Sequence, residues 1–128
     1  TPFGPERTIT KSEGNVLYEI DGQPALDLYK TYLGDKAKEL PQAALLYPLT
    51  VQQTEHEEPL VRTILNIDEA SNSMILAGDV PVDSKVQLMM CTMDDIAEGA
   101  SNAAEQAMHK RSKAPELAIL VRLLFYLR

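Results

Sequence analysis

The chain has 128 residues and a formal net charge of −7, from 12 Lys and Arg against 19 Asp and Glu. One domain of this size buries roughly 65–70% of its unfolded surface, enough for a core without staples. The acidic balance argues against a nucleic-acid binder, which needs a basic face, and against a protein held on anionic lipid.

In chain order, residues 1–5 are rich in Pro and Gly and read as irregular. Residues 7–11 and 15–20 have strand character, joined by a turn at Ser12-Glu13-Gly14. Asp21-Gly22 is a second turn. Pro24 fits the first position of a helix. Ala25, Leu28, Tyr29, Tyr32 and Leu33 follow at helical spacing, and Gly34 is a stop signal, which predicts a helix over 24–33. Residues 35–42 are a connection or a short helical turn. The apolar run 43–49 reads as a buried strand or strand edge. Residues 52–59 form a polar, acidic loop.

Residues 61–67 and 73–78 read as a hairpin joined by the polar segment 68–72, and 85–90 as a further strand. Thr92 is a capping residue and Asp95 lies three places on, the spacing of a capping box. In the helix that follows, Ile96, Ala100, Ala103, Ala104 and Ala107 are expected to form a buried stripe. His109, Lys110 and Arg111 fall at its negative end. A final strand is expected over 117–126. The order β-β-α-β-β-β-β-α-β implies α+β: a mainly antiparallel sheet with two helices on one face.

Chemical motifs are sparse. Cys91 is the only cysteine, so an internal disulfide and a multi-cysteine zinc site are excluded, and a reducing, cytoplasmic setting fits. No run reaches the ~20 apolar residues of a membrane span. Cys91 precedes a helix N-terminus, where a thiolate is favoured. Its possible activators are His56, in the acidic loop, and His109, about 22 Å along the same helix at 1.5 Å per residue. A small buried residue is the simpler reading. Glu55-His56-Glu57-Glu58 groups hard ligands, but without a rigid second shell it reads as a solvated loop. Asp94, Asp95 and Glu98 could form an acid/base pair, although capping explains the first two. Phosphate-cradling glycine motifs are missing. No cofactor is expected.

Two turns remain as candidate binding elements. Asp21-Gly22-Gln23 leads into the helix at Pro24, whose amides could hold a carboxylate. Gly78-Asp79-Val80-Pro81 is a glycine–acid–proline turn, and Asp79 could take an ammonium group. For both, turn and capping chemistry is the plainer reading.

The stretch Gly14-Asn15-Val16-Leu17-Tyr18-Glu19-Ile20-Asp21-Gly22-Gln23-Pro24-Ala25-Leu26-Asp27-Leu28-Tyr29, followed by Tyr32-Leu33-Gly34, resembles the opening of the FIST C-terminal domain. Val61-Arg62-Thr63-Ile64-Leu65, Leu76-Ala77-Gly78-Asp79-Val80-Pro81 and Val86-Gln87-Leu88-Met89 continue the resemblance in order, over roughly Arg7 to Val121. The resemblance implies an intracellular sensory, signal-transduction domain that takes small ligands such as amino acids, and it carries no catalytic residues. It implies an N-terminal FIST domain or another signalling domain as partner. This sequence reads as a single domain, 1–128, without that N-terminal domain. Two departures stand out. Asp83 occupies a place where the family tends to have glycine. Arg122 to Arg128 replaces a turn with an apolar tail, through which the chain is expected to self-associate as a homo-oligomer.

The leading expectation is a non-enzymatic sensory domain binding a small polar ligand through Asp21, Gly22, Gln23 and Asp79. The alternative is an interaction module that binds nothing small, and a Cys91 enzyme is the third.

Overall fold

The computed structural model describes residues 1–119. It divides into two compact units, Thr1–Met90 and Cys91–Arg128.

The first unit contains eight strands and a helix: β1 (Arg7–Glu13), β2 (Val16–Ile20), β3 (Gln23–Pro24), α1 (Ala25–Leu33), β4 (Leu49–Gln52), β5 (Leu60–Arg62), β6 (Ile64–Asp68), β7 (Ser73–Leu76) and β8 (Lys85–Leu88). Two 3-10 segments, Gly34–Glu39 and Gln42–Leu46, link α1 to β4. All strand pairs are antiparallel, in the order β5-β4-β8-β1-β2-β7-β6, with β3 attached to β2.

The two ends of that order are neighbours in the chain. Only Thr63 separates β5 from β6, so they are two halves of one bent strand. The sheet therefore rolls up on itself, and its outermost strands meet at the Thr63 corner. A matching corner lies in β1. Arg7 and Thr8 pair with β8, whereas Ile9 onward pairs with β2, with register shifts after Ile9 and Lys11. Such bulges bend a strand and let it change partners. Closure leaves few free edges. The sequence reading of one strand over 61–67 misses the bend, because Val61-Arg62-Thr63-Ile64 shows no break in β propensity.

Ile9, Leu17, Ile64, Met74, Leu76 and Val80 are fully buried inside the roll. Helix α1 covers it with Ala25, Leu26, Tyr29 and Leu33. The helix starts one residue later than expected: Pro24, with ψ 125°, is still extended and pairs with Glu19. Gly34 at φ +58° ends it as the sequence implies. Of the apolar run 43–49, residues 43–46 lie in the second 3-10 segment and only Leu49 belongs to a strand, as the first residue of β4. Ala43 and Ala44 are buried and Leu46 is exposed.

Among the described residues the second unit has one helix, α2 (Met93–Met108). Thr92 Oγ1 accepts from Asp95 N at 3.1 Å, and Asp95 Oδ2 accepts from Thr92 N at 2.8 Å, so the capping box is complete. The expected burial of Ile96, Ala100, Ala103, Ala104 and Ala107 is not found, for no α2 residue is buried. An apolar stripe at helical spacing records what a helix can cover, not what covers it. Of the expected last strand, Leu117–Ile119 are exposed and not in a strand. The rest of it, and the tail 122–128, lie outside the described residues.

Candidate functional site

Asp21 and Gly22 link β2 to β3. Both have positive φ, +51° and +74°, the left-handed pair that a two-residue hairpin turn needs and that Asp-Gly supplies. This turn places the Asp21 carboxylate over the start of β1. Asp21 Oδ1 accepts from Thr8 N at 3.0 Å, and Oδ2 accepts from Arg7 Nη1 at 3.1 Å. The Thr8 amide, helped by the guanidinium, holds this carboxyl below the usual carboxylate range, and Lys85 adds a weaker positive field.

Arg7 is fixed from a second side. Its Nε donates to the Tyr32 hydroxyl at 3.1 Å, its Nη2 donates to the same oxygen, and the guanidinium lies 5.5 Å from the Tyr32 ring centroid. The Tyr32 hydroxyl and then Asp21 raise the guanidinium above its ordinary value. Arg7 and Asp21 side chains are 29% and 39% exposed. Arginine has five N–H groups. Among the described residues one on each terminal nitrogen is left without a partner, enough to take a carboxylate.

Beside Arg7 is a small recess of about 30 Å³ between α1 and the sheet, walled by Pro5, Leu28, Tyr29 and Tyr32 among others. It holds a water or two and no more. Deeper in, burial and then Tyr47 push the Tyr29 hydroxyl well above its ordinary value. That hydroxyl donates to Tyr47 O at 2.8 Å.

The other expected site residues fall elsewhere. The Gly22 amide donates to Thr10 Oγ1 at 2.9 Å. Gln23 is exposed and pairs with Ile20. The entrance of α1 is already covered: Leu26 N donates to Asn72 O, and Asn72 Nδ2 donates to Asp27 Oδ2. The loop joining β6 to β7 thus occupies the place proposed for a carboxylate. Asp79 is exposed, with its carbonyl accepting from Arg62 Nε at 3.3 Å. Its neighbour Val80 bonds to Gly14 O, at the opposite end of β2 from Asp21. The strand Val16–Ile20 alone spans roughly 13 Å at about 3.3 Å per residue. Asp21 and Asp79 therefore do not share a pocket.

Arg7 and Tyr32 carry the corner, and the sequence does not announce either. A lone Arg at a strand start and a Tyr on an apolar helical face are both ordinary. Only the hairpin brings Asp21 back to them. Elsewhere, Cys91 is half-buried. Among the described residues no three His, Cys, Asp or Glu side chains are grouped to hold a metal ion, and no helix is long and apolar enough to cross a membrane.

The FIST C domain pattern matches residues 25–125, and the FIST N domain pattern matches residues 1–23. The chain belongs to the FIST C domain family. FIST domains are sensory domains of signal transduction. No curated protein and no solved structure matches the chain. The two matches correct the sequence reading at its start. The stretch 14–29, read as the opening of the C domain, straddles the junction, and a FIST N segment precedes it. In this FIST C chain that segment supplies β1 and β2, the middle of the rolled sheet, along with Arg7 and Asp21.

Proposed function

We propose that this FIST chain is a non-enzymatic, cytoplasmic sensory domain that binds a small zwitterion of the amino-acid class at the Arg7–Asp21 corner. The observation that carries this reading is the fixed pair of opposite charges, 3.1 Å apart at the mouth of a recess. A ligand carboxylate would accept from the two remaining Arg7 N–H groups, and its ammonium would donate to Asp21. Charge-assisted bonds of this kind are the strong ones. The recess is too small for the whole ligand, so a short side chain would reach into it past Pro5 and Leu28 while the charged groups stay at the mouth. Asp79 and the α1 entrance have no part in this site.

The test is thermal unfolding of the chain against a panel of amino acids. A ligand at about 100 times its Kd adds about 2.7 kcal/mol, a shift of several degrees for a domain of this size. Arg7→Gln and Asp21→Asn should each abolish the shift. No shift with any compound, or one that survives both substitutions, overturns the assignment. A second reading, an interaction module without a small ligand, is favoured by the bent β5–β6 strand. Leu60 and Val61 on it are 52% and 61% exposed, more than a strand facing only solvent needs.

A further inference from the structure

The recess beside Arg7 has a rim and a floor of different chemistry. Arg7, Leu28 and Tyr32 stand half-buried at the rim, with Pro5 exposed beside them. Ile20, Tyr29, Met74, Val86 and Leu88 belong to the floor, and all are buried. Among the described residues the floor carries one hydroxyl, that of Tyr29, and it already donates to Tyr47 O at 2.8 Å. Charge is therefore on offer at the mouth, and apolar surface below it.

We propose that this recess selects the ligand by its side chain, that it takes one methyl or ethyl group, and that Leu28 sets the limit. The inference rests on the zwitterion reading of the Arg7–Asp21 corner and narrows it to alanine and its next homologue, 2-aminobutyrate. The recess measures about 30 Å³, the space of a water or two, and a methyl or ethyl group is about that size. Valine and leucine would bring three and four carbons. A ligand hydroxyl or amide would leave water for a floor that has no free partner for it, which is costly. Charges 3.1 Å apart suit an ammonium and a carboxylate on one carbon, and the side chain leaves from that same carbon, at the mouth.

Leu28 lies one turn before Tyr32 on α1, so the two side chains share a face of the helix. Tyr32 is tied to Arg7, and the floor residues are part of the core of the roll. Leu28 only packs against the edge of that core. It is the wall that can change in size without disturbing either the charges or the floor.

Calorimetric titration of the whole chain with glycine, alanine, β-alanine, 2-aminobutyrate, serine, valine and leucine tests this. Alanine and 2-aminobutyrate should bind most tightly. Glycine, which leaves the recess empty, should bind about tenfold more weakly, the lower end of what one methylene is worth in an apolar pocket. Serine and the unbranched isomer β-alanine should also be weaker. Leu28→Ala should shift the preference to valine or leucine. Leu28→Phe should fill the recess and bring alanine down to the level of glycine, which keeps the role of Leu28 testable if the smaller variant does not fold. Arg7→Gln separates this inference from the reading beneath it. Suppose that variant abolishes binding, but the wild type ranks glycine, serine or leucine level with alanine or above it. The recess is then not the selector, while the corner reading stands. A ranking that neither Leu28 variant alters overturns the role of Leu28 in the same way. No binding of any compound, or binding that Arg7→Gln leaves intact, overturns both.

Discussion

Asp83 sits at φ +68°, in the left-handed region that a Cβ normally makes costly, although Asp tolerates it better than most. Its amide donates to Ile9 O at 2.9 Å, so the turn cannot relax without giving up a bond to β1. The family's glycine at this place therefore has a backbone reason. Asp83→Gly should be at least as stable as wild type, since relief of strain outweighs the extra freedom of glycine in the unfolded chain. Asp83→Ala should lose about 1 kcal/mol, read from urea midpoints. Asp21 gives a second expectation, on pH. Its folded carboxyl lies below the ordinary value of about 3.9, so its stabilising contribution is present at neutral pH and lost as pH falls through the lowered value. Asp21→Asn should therefore unfold more easily than wild type at pH 7. The difference should vanish in acid, where the carboxyl is protonated in both states. At 39% exposure the neutral-pH difference will be modest. Of these residues only Asp83 was visible in the sequence as an oddity, through the family's glycine. Asp21 was visible as a turn, but not as the partner of Arg7, because fourteen residues and a hairpin separate them.

At the scale of elements, whatever is decided locally was legible. The Thr92 cap of α2, the Gly34 stop of α1 and most strands follow from neighbours within a few positions. The capping box is the clearest case. Thr92→Ala removes its acceptor and should cost about 1 kcal/mol of helix stability. Faster amide exchange in the first turn of α2, at Asp94 and Asp95, would register the loss. Thr92→Ser keeps the hydroxyl and should restore protection. The elements misread are those decided at a distance. The run 43–49 is apolar because Ala43 and Ala44 are buried against other elements, and apolarity alone does not separate a 3-10 turn from a strand. The corner at Thr63 exists because β5 pairs with β4 and β6 with β7, a demand set by strands far away in sequence. The apolar stripe of α2 was expected to be buried and is not, because periodicity specifies a face and leaves its partner open.

For the whole molecule, the boundary between the family matches and the boundary of the fold do not coincide. The FIST N match ends at residue 23 and the FIST C match begins at 25, yet β1 and β2 lie between β8 and β7 in the sheet order. Ile9, Leu17 and Ile20 from that segment are buried among residues of the C match. Deleting residues 1–23 would therefore open the roll at its middle and not trim an end. Three buried apolar side chains at about 1.5–3 kcal/mol each come to roughly 5–9 kcal/mol, comparable to the whole stability of an ordinary domain. The exposed flanks of β8 and β7 would add two unpaired strand edges. A chain starting at Pro24 should accordingly show no cooperative thermal unfolding and should aggregate. A peptide of residues 1–23 added in trans should restore a cooperative transition, because the missing strands pair through backbone bonds that need no covalent link. If the shortened chain instead unfolds cooperatively near the wild-type midpoint, the C match is self-sufficient and β1 and β2 only cover it. The outcome also bears on signalling. Residues 1–23 match the FIST N pattern, yet their strands pack within the sheet built by the FIST C match. A change at the Arg7–Asp21 corner, which is built on those strands, would act on the core of the roll and not on its surface.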